Sequence, residues 1–246
     1  MRGDLWEIYK GHPRTVFDVF TNGTLIGKLE AERIAKLGNV RLLISLEGLK
    51  KTTDNRRGDG VYDRAAAALT ACQQANIHFA VSVTVSQENF EEVTSEEFIE
   101  AMNEFGIHII SYVLYMPYGT NNGMFSAPTK EQVKQLEKWG EWIQDHYPIV
   151  PVIGRNGSDL VTACPAALGR LHITADGRVE PCPFCHFAAD SITGKTILEV
   201  MDSELFQLIR TVNSTGAFPT PCKARESPVL QRLFEKAGAY STTKGE

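Results

Sequence analysis

The chain has 246 residues, of which 43% are hydrophobic and 22% charged, a balance typical of a globular protein with a substantial core. Its formal net charge is −5 and it has no basic cluster, which disfavours a binding surface for nucleic acid or anionic membrane. No apolar run approaches the roughly 20 residues of a membrane span, and the first residues are not those of a signal peptide. Five cysteines without an export signal predict a cytoplasmic protein whose thiols bind metal rather than pair.

Apolar strands alternate with helices over the first 150 residues. The predicted strands cover residues 15–21, 40–46, 78–85 and 107–116. The predicted helices cover residues 28–37, 61–75, 95–105 and 129–147, and the charged stretch 52–60 between them is predicted to be a loop. Ser95 is a predicted N-cap, and Thr129-x-x-Gln132 a predicted capping box. This alternation predicts an α/β fold with a parallel sheet covered by helices. Strands ending in TNG, SLEG and MPYG favour a partial (β/α) barrel with its site at that edge, and a doubly wound sheet is the alternative.

The pattern changes after residue 147, where prolines and glycines predict a linker (Pro148, Pro151, Gly154 and Gly157). We therefore predict a first domain over residues 1–150, a second over 151–240 with helices near 197–212 and 229–239, and a disordered tail over 241–246.

Three of the five cysteines lie in one stretch, CPAALGRLHITADGRVEPCPFC, and Cys222 follows later. Residues 171–174 and 178–180 predict a β-hairpin turned by Ala175-Asp176-Gly177. The hairpin would carry Cys182 back towards Cys164, with Cys185 just beyond it. Four converging thiolates suit one tetrahedral or cubane metal centre, and zinc fits the ligands as well as iron–sulfur does.

Other interpretations of these cysteines stay open. They could be buried structural thiols, since free cysteine packs as a small hydrophobe. Cys182-x-x-Cys185 also matches a redox motif, and His186 completes a haem-attachment pattern. Both are disfavoured, because the redox motif should open a helix and haem attachment needs an exported chain. Cys72, His78 and His108 are interpreted as structural.

Several motifs in this order resemble those of one enzyme superfamily. These are TNGTLI after the first strand, ISLEG after the second, Arg56-Arg57-Gly58 with Val61-Tyr62-Asp63, and the closing Cys-x12-Gly-x4-Cys. From about Thr15 to Cys222 the chain resembles radical S-adenosylmethionine (radical SAM) enzymes, within them the group that carries a C-terminal SPASM or shorter twitch domain. The resemblance implies a TIM-like partial barrel followed by a cysteine-rich hairpin and helices.

The resemblance also implies ligands. Cys164, Cys182, Cys185 and Cys222 would hold an auxiliary [4Fe-4S] cluster. Ser45 and Arg57 would contact the ribose and the carboxylate of S-adenosylmethionine, because a hydroxyl and a guanidinium are apt donors for those groups. Asn22 would face the same site and Met116 would lie near the adenine. The structural alternatives are a loop serine, a solvated surface arginine, an Asn that only forms a turn, and a Met in the core.

The sequence departs from the family in its catalytic motifs. It contains no Cys-x3-Cys-x2-Cys and no Gly-Gly-Glu loop, and no cysteine precedes Cys72. We therefore expect the C-terminal portion of a radical SAM enzyme that modifies a peptide or a small molecule. It would bind S-adenosylmethionine and act only when the missing N-terminal part is supplied, in the same gene product or by a separate N-terminal polypeptide.

Without that part, the strand at residues 15–21 would have an unpaired edge. The alternative function is a non-catalytic iron–sulfur or zinc binding module that grips a peptide or a partner protein. The sequence thus leaves open whether the chain alone is an enzyme.

Overall fold

The structure is a computed structural model that describes residues 3–117, 123–154, 164–215 and 221–243. The chain divides into two compact units, Met1–Gly154 and Arg155–Glu246. Within the described ranges, no helix combines the length and the apolar character needed to cross a membrane.

The first unit alternates strands and helices. Its strands are β1 Phe17–Thr21, β2 Val40–Leu46, β3 Phe79–Val85, β4 Ile109–Leu114 and β5 Val150–Gly154. Its helices are α1 Leu5–Gly11, α2 Lys28–Leu37, α3 Lys50–Arg57, α4 Val61–Gln74, α5 Phe90–Val93, α6 Glu96–Glu104 and α7 Lys130–His146. The five strands are parallel and lie in the order β1-β2-β3-β4-β5. The predicted α/β fold with a parallel sheet is confirmed. The described strands show no reversal of strand order, which a doubly wound sheet requires.

The two faces of this sheet differ. On one face the central strands are fully buried, as for Ile44, Val81, Val83 and Ile110 at 0% exposure. Along each strand, the alternate side chains point to the opposite face of the sheet. We call this opposite face the open face. Its outer strands carry exposed apolar side chains, with Phe20 of β1 at 62% exposure. A one-sided apolar core of this kind fixes the register of every strand.

Local signals explain most helix boundaries. Ser95 accepts a hydrogen bond from the Phe98 amide at 3.2 Å, and Thr129 forms the predicted capping box with Gln132. Helix α2 ends at Leu37, and its C-cap Gly38 adopts a left-handed conformation (φ +71°). The predicted N-cap Ser95 and the predicted capping box at Thr129 are confirmed.

Two sequence predictions for this unit were wrong. The stretch predicted to be a loop over residues 52–60 contains most of α3, which ends at Arg57. Thr53 of α3 is fully buried and donates to the Gly48 carbonyl at 2.9 Å, so tertiary contacts stabilise a helix that its charged sequence does not predict. The predicted linker contains strand β5, which accommodates Pro151 because an edge strand tolerates a missing donor.

The second unit is built from short elements. Its strands are β6 His172–Ile173, β7 Arg178–Glu180, β8 Phe187–Ala188, β9 Asp190–Ser191 and β10 Tyr240–Ser241. Its helices are α8 Ile197–Met201, α9 Glu204–Thr215, a 3₁₀ helix Pro221–Glu226 and α10 Pro228–Lys236. The antiparallel strands form two small sheets, β6-β7-β9 and β8-β10. The predicted hairpin is therefore present, with Gly177 at φ +83° in its turn and its amide 2.9 Å from the Thr174 carbonyl.

The core of this unit lies between the hairpin and the helices, around Val179, Phe206, Ile209, Leu230 and Phe234. The single helix predicted over residues 197–212 is instead two, because α8 ends at Met201 and α9 begins at Glu204. Strand β10 extends to Ser241, the first residue of the predicted disordered tail, and residues 244–246 lie outside the described residues.

Candidate functional site

Three of the residues predicted to bind a cosubstrate lie at one edge of the five-stranded sheet. Asn22 follows β1, Ser45 is the penultimate residue of β2, and Met116 comes two residues after β4. Because the strands are parallel, their carboxyl ends share one edge, where α/β folds place their ligands. Arg57 is the last residue of α3, which begins four residues after β2 ends. The structure thus brings Asn22, Ser45 and Met116 to a common edge.

Asn22 has a local structural role. Its Oδ1 accepts hydrogen bonds from the Thr24 amide at 3.1 Å and the Thr24 hydroxyl at 2.9 Å. These hydrogen bonds form a turn, which was the structural alternative to a role of Asn22 in cosubstrate binding. Contact between Asn22 and a cosubstrate stays a prediction, as does that of half-buried Ser45 and Met116.

Arg57 is held by a buried carboxylate. Glu47, which directly follows β2, is 1% exposed, and its Oε1 accepts from Arg57 Nε at 2.8 Å and also from Arg57 Nη2. The Arg57 side chain is 26% exposed, so the interpretation as a solvated surface arginine is wrong. Burial raises the pKa of Glu47, while the neighbouring positive charges of Arg57 and Arg56 oppose that rise.

Arg56 was not predicted as a site residue. Its Nη1 lies 2.9 Å from the other Glu47 oxygen, Oε2, although the geometry falls outside that of a hydrogen bond. Its guanidinium lies 4.4 Å from the ring centre of Phe125 and 5.5 Å from that of Tyr115. Arg56 therefore joins the end of β2 to the end of β4. We call Glu47, Arg56 and Arg57 the Glu47 cluster.

The loop that carries Glu47 is fixed on both sides. Asn89 donates to the carbonyls of Glu47 at 2.7 Å and Thr84 at 2.9 Å, which ties the ends of β2 and β3 together. Gly48 has φ +152°, and a Cβ there would lie 2.1 Å from Glu92 Oε2. Only the apolar strands and the SLEG motif signalled this site in the sequence, since partners such as Asn89 are distant along the chain.

In the second unit, the four predicted ligand cysteines come from three segments. Cys164 precedes the hairpin and is half-buried. Cys182 and Cys185 follow the hairpin, and their backbones form an isolated antiparallel β-bridge. Cys222 lies in the 3₁₀ helix. All four are free thiols. Cys182 and Cys185 do not open a helix, so the fold gives no support to the redox-motif interpretation.

The four thiols are close enough to interact electrostatically in every pairing. Burial raises the pKa of Cys182 to about 11, with repulsion from Cys222 and Cys164 adding to it, while the amides of Phe184 and Cys185 donate to its sulfur and oppose the rise. Burial and repulsion likewise raise the pKa of Cys185 well above its usual value. A cationic centre would turn this mutual repulsion into attraction.

Metal ligation by these cysteines stays a prediction. Within the described ranges, no three Cys, His, Asp or Glu side chains are arranged to hold a single metal ion. The choice between an iron–sulfur cluster and zinc likewise stays a prediction.

Cys72 is separate from this group. It is fully buried on α4, and burial raises its pKa to about 12.

Comparison with known proteins relates the chain to enzymes that use S-adenosylmethionine. No protein-family model matches it. It is 28% identical over 192 residues to the sporulation killing factor maturation protein SkfB of Bacillus subtilis, covering 72% of this chain and 45% of that protein. It is 24% identical over 216 residues to an AdoMet-dependent heme synthase of Methanosarcina barkeri, covering 77% of this chain and 61% of that protein.

Among solved structures, Streptococcus suis SuiB matches with a TM-score of 0.70 and 17% identity, covering 85% of this chain and 54% of that one. SuiB structures include complexes with S-adenosylmethionine and with the precursor peptide SuiA. The comparisons support the radical SAM superfamily. The chain spans 45% and 61% of the lengths of the two curated relatives.

Proposed function

We propose that this chain is the cosubstrate-orienting and auxiliary-cluster portion of a radical SAM enzyme that modifies a peptide or a small molecule. The observation that carries the proposal is that Cys182 and Cys185 lie in one buried core cluster with Cys164 packed against it, in the unit whose 3₁₀ helix carries Cys222. The relatives that use S-adenosylmethionine and the placement of the TNGT and SLEG motifs at one sheet edge support the same assignment.

The second unit would act as a SPASM- or twitch-type domain. Its four cysteines would hold an auxiliary [4Fe-4S] cluster, which supplies one-electron redox chemistry when bound. The amides of Phe184 and Cys185, which already donate to the Cys182 sulfur, would stabilise its thiolate form. Four protein ligands saturate a cubane, so by analogy with structural zinc sites this centre would not bind substrate directly.

The first unit, as part of a partial barrel, would orient S-adenosylmethionine at its carboxyl edge. Ser45 would donate to the ribose and Arg57 to the carboxylate. Arg57 uses Nε and Nη2 for Glu47, while its Nη1 donates no hydrogen bond to a described residue. A guanidinium has five N–H donors, so one edge can hold Glu47 while another receives a second carboxylate. Asn22 and Met116 would border the same site.

The cluster that starts the reaction would be bound by another polypeptide segment, because the 246 residues contain no Cys-x3-Cys-x2-Cys. The edge of β1 is suited to receive it, either as a separate polypeptide or as a further part of the same one. Beside β1, with α1 and α2, lies a groove of about 350 Å³. Leu25 at 63% and Phe20 at 62% exposure line this groove, and Leu29 on α2 is 75% exposed. An edge strand beside exposed apolar residues favours the addition of a strand.

Anaerobic reconstitution tests the auxiliary cluster. About four irons and four sulfides per chain are expected, and Cys182→Ala should lower the count. The matched control is Cys72→Ala, which removes a buried cysteine outside the group and should leave the iron content unchanged. A chain that retains one zinc and takes up no iron would contradict the iron–sulfur assignment, while the four cysteines would remain the proposed metal ligands.

A second assay addresses catalysis. The reduced, reconstituted chain alone is expected to form no 5′-deoxyadenosine from S-adenosylmethionine. Activity should appear once a segment bearing Cys-x3-Cys-x2-Cys is supplied. Formation of 5′-deoxyadenosine by the chain alone, above the Cys182→Ala level, would refute this part of the proposal. The second candidate function, a non-catalytic metal module, is favoured by the same missing motif and predicts no activity with any added segment.

A further inference from the structure

The turn that carries Cys164 has a strained backbone. We call residues 164–170 the Cys164 turn. Ala167 in this turn has φ +61°, in the left-handed region, where a residue with a Cβ atom is disfavoured. Ala167 is 1% exposed, and the preceding Ala166 is fully buried. Strain of this kind persists only where the surrounding contacts impose it, and it clusters at functional sites.

Helix α9 supplies contacts that impose this conformation. Asn213 Nδ2 donates to the carbonyl oxygen of Cys164 at 3.3 Å and to that of Ala166 at 3.1 Å. Arg210, three residues earlier on α9, donates from Nη1 to the Ala167 carbonyl at 3.3 Å. Three of the first four carbonyls of the Cys164 turn therefore accept hydrogen bonds from one face of α9.

The Cys164 turn also contacts the segment that leads to Cys182. The Ala167 amide donates jointly to the Arg170 carbonyl at 3.2 Å and to the Pro181 carbonyl at 3.4 Å. Pro181 directly precedes Cys182, and Cys164 packs against the core cluster that contains Cys182. The backbone at Ala167 therefore links the position of Cys164 to that of Cys182.

The anchoring of α9 does not explain these polar contacts. The helix is anchored by three apolar side chains that are at most 3% exposed, Phe206, Ile209 and Val212. The side chain of Asn213 donates to the Cys164 turn alone, while Arg210 also donates to the Met201 carbonyl at 2.8 Å. The donors of Asn213 therefore act on the turn, and the helix does not depend on them.

We propose, on the basis of the function proposed above, that Asn213 and Arg210 are positioning residues for Cys164 as a ligand of the auxiliary cluster. Cys164 is half-buried, whereas the other three predicted ligands are buried, so packing fixes its position least. Hydrogen bonds from α9 would hold the strained Cys164 turn in place before a cluster binds. Asn213 would contribute most, because it contacts the ligand residue itself. The four thiols would then form a preorganised donor set for a cubane.

The test starts from the substitution Asn213→Leu, which keeps a similar side-chain volume and removes both donors. Thr211→Ala on the exposed side of the same helix is the control, because the Thr211 hydroxyl donates to the Gln207 carbonyl within α9. Iodoacetamide labelling of the full chain before reconstitution, with each cysteine followed by mass spectrometry, measures how firmly Cys164 is held. Labelling of Cys164 should be about tenfold faster in Asn213→Leu, as expected for two neutral hydrogen bonds, and unchanged in Thr211→Ala.

A second substitution separates positioning from a general effect on folding. Glycine adopts φ +61° without the penalty that Ala167 bears. Adding Ala167→Gly to Asn213→Leu should therefore return the labelling rate of Cys164 towards that of the unmodified chain, with the same helix content by far-UV circular dichroism. After reconstitution, an iron chelator should remove iron about tenfold faster from Asn213→Leu, and Ala167→Gly should again reverse the effect.

Three results would overturn the inference. One is equal labelling of Cys164 in Asn213→Leu and in the unmodified chain. Another is faster labelling that Ala167→Gly does not reverse, which would indicate a general structural role. A third is loss of iron at the same rate from both proteins. A full complement of iron with unchanged labelling contradicts the inference alone, whereas the expected labelling in a chain that takes up no iron contradicts the proposed function alone.

Discussion

The substitution Glu47→Gln should destabilise the first unit far more than the loss of an ordinary ion pair. It keeps the size of a side chain that is 1% exposed and removes the charge that both Arg56 and Arg57 contact. Breaking a buried ion pair costs about 3–5 kcal/mol, because the remaining charge is left without a partner. The two arginine side chains are 20% and 26% exposed, so water recovers part of the loss. We expect a loss of about 3 kcal/mol in the free energy of unfolding.

The structure offers a matched control for this substitution. Lys50 and Asp63 form an ion pair at 2.6 Å, with side chains 60% and 59% exposed. Lys50→Met should cost less than about 1 kcal/mol, as exposed pairs do. The effect of Lys50→Met should shrink in 1 M salt, where the Debye length falls to about 3 Å, while that of Glu47→Gln should change little.

Urea unfolding followed by tryptophan fluorescence measures both effects. Trp6, Trp139 and Trp142 all lie in the first unit, so their emission reports its unfolding separately from that of the second unit. Equal losses for Glu47→Gln and Lys50→Met would refute the argument that the Glu47 cluster is held by buried charge. A double-mutant cycle of Glu47→Gln with Arg57→Met would then show whether the two side chains interact at all.

Three further predictions concern single residues. Cys72, with its pKa raised to about 12 by burial, should resist iodoacetamide at pH 8 in the native protein and react once urea unfolds it. The hydrogen bond from Arg178 lowers the pKa of Asp176 to about 2. The stabilisation of the hairpin by this pair should therefore be present above about pH 4 and be lost as the pH falls towards 2. Carboxyl ¹³C NMR, with Asp176→Asn to identify the signal, measures the titration of Asp176, and a midpoint near 3.9 would contradict the prediction. Gly48→Ala should cost about 1–3 kcal/mol in the same urea assay, because its φ of +152° strains any side chain and the new methyl group would meet Glu92, and an unchanged midpoint would show that the loop relaxes freely.

The sequence predicts those parts of the fold whose signals are local. Strand β2 and helix α2 have the bounds predicted from the sequence, and the hairpin turns at Gly177 as its Asp-Gly pair predicts. Helix α3 was missed because its sequence, KKTTDNRR, has almost no apolar periodicity. Contacts from Thr53 to the loop after β2, formed only in the folded chain, stabilise it.

The same distinction holds for the candidate sites. Ser45 could be predicted from the sequence, because it lies within the contiguous SLEG motif. Arg56 could not, since its partners Tyr115 and Phe125 lie 59 and 69 residues further along the chain and are brought to it by the fold. Similarly, the alignment of Ser82 with Ser111 exists only once strand register is known. Sequence patterns specify which strands form, and pairing decides which side chains meet.

The charges at the carboxyl edge bear on the proposed contact with S-adenosylmethionine. In the Glu47 cluster, two guanidiniums face one carboxylate. A second carboxylate, Glu92, lies against Gly48 in the same loop, and its Oε2 is buried without a hydrogen-bond partner. Two carboxylates and two guanidiniums therefore lie close together beside the end of β2. The proposed contact between Arg57 and a ligand carboxylate thus depends on the Nη1 donors of Arg57, which no described residue uses, and not on a surplus of positive charge.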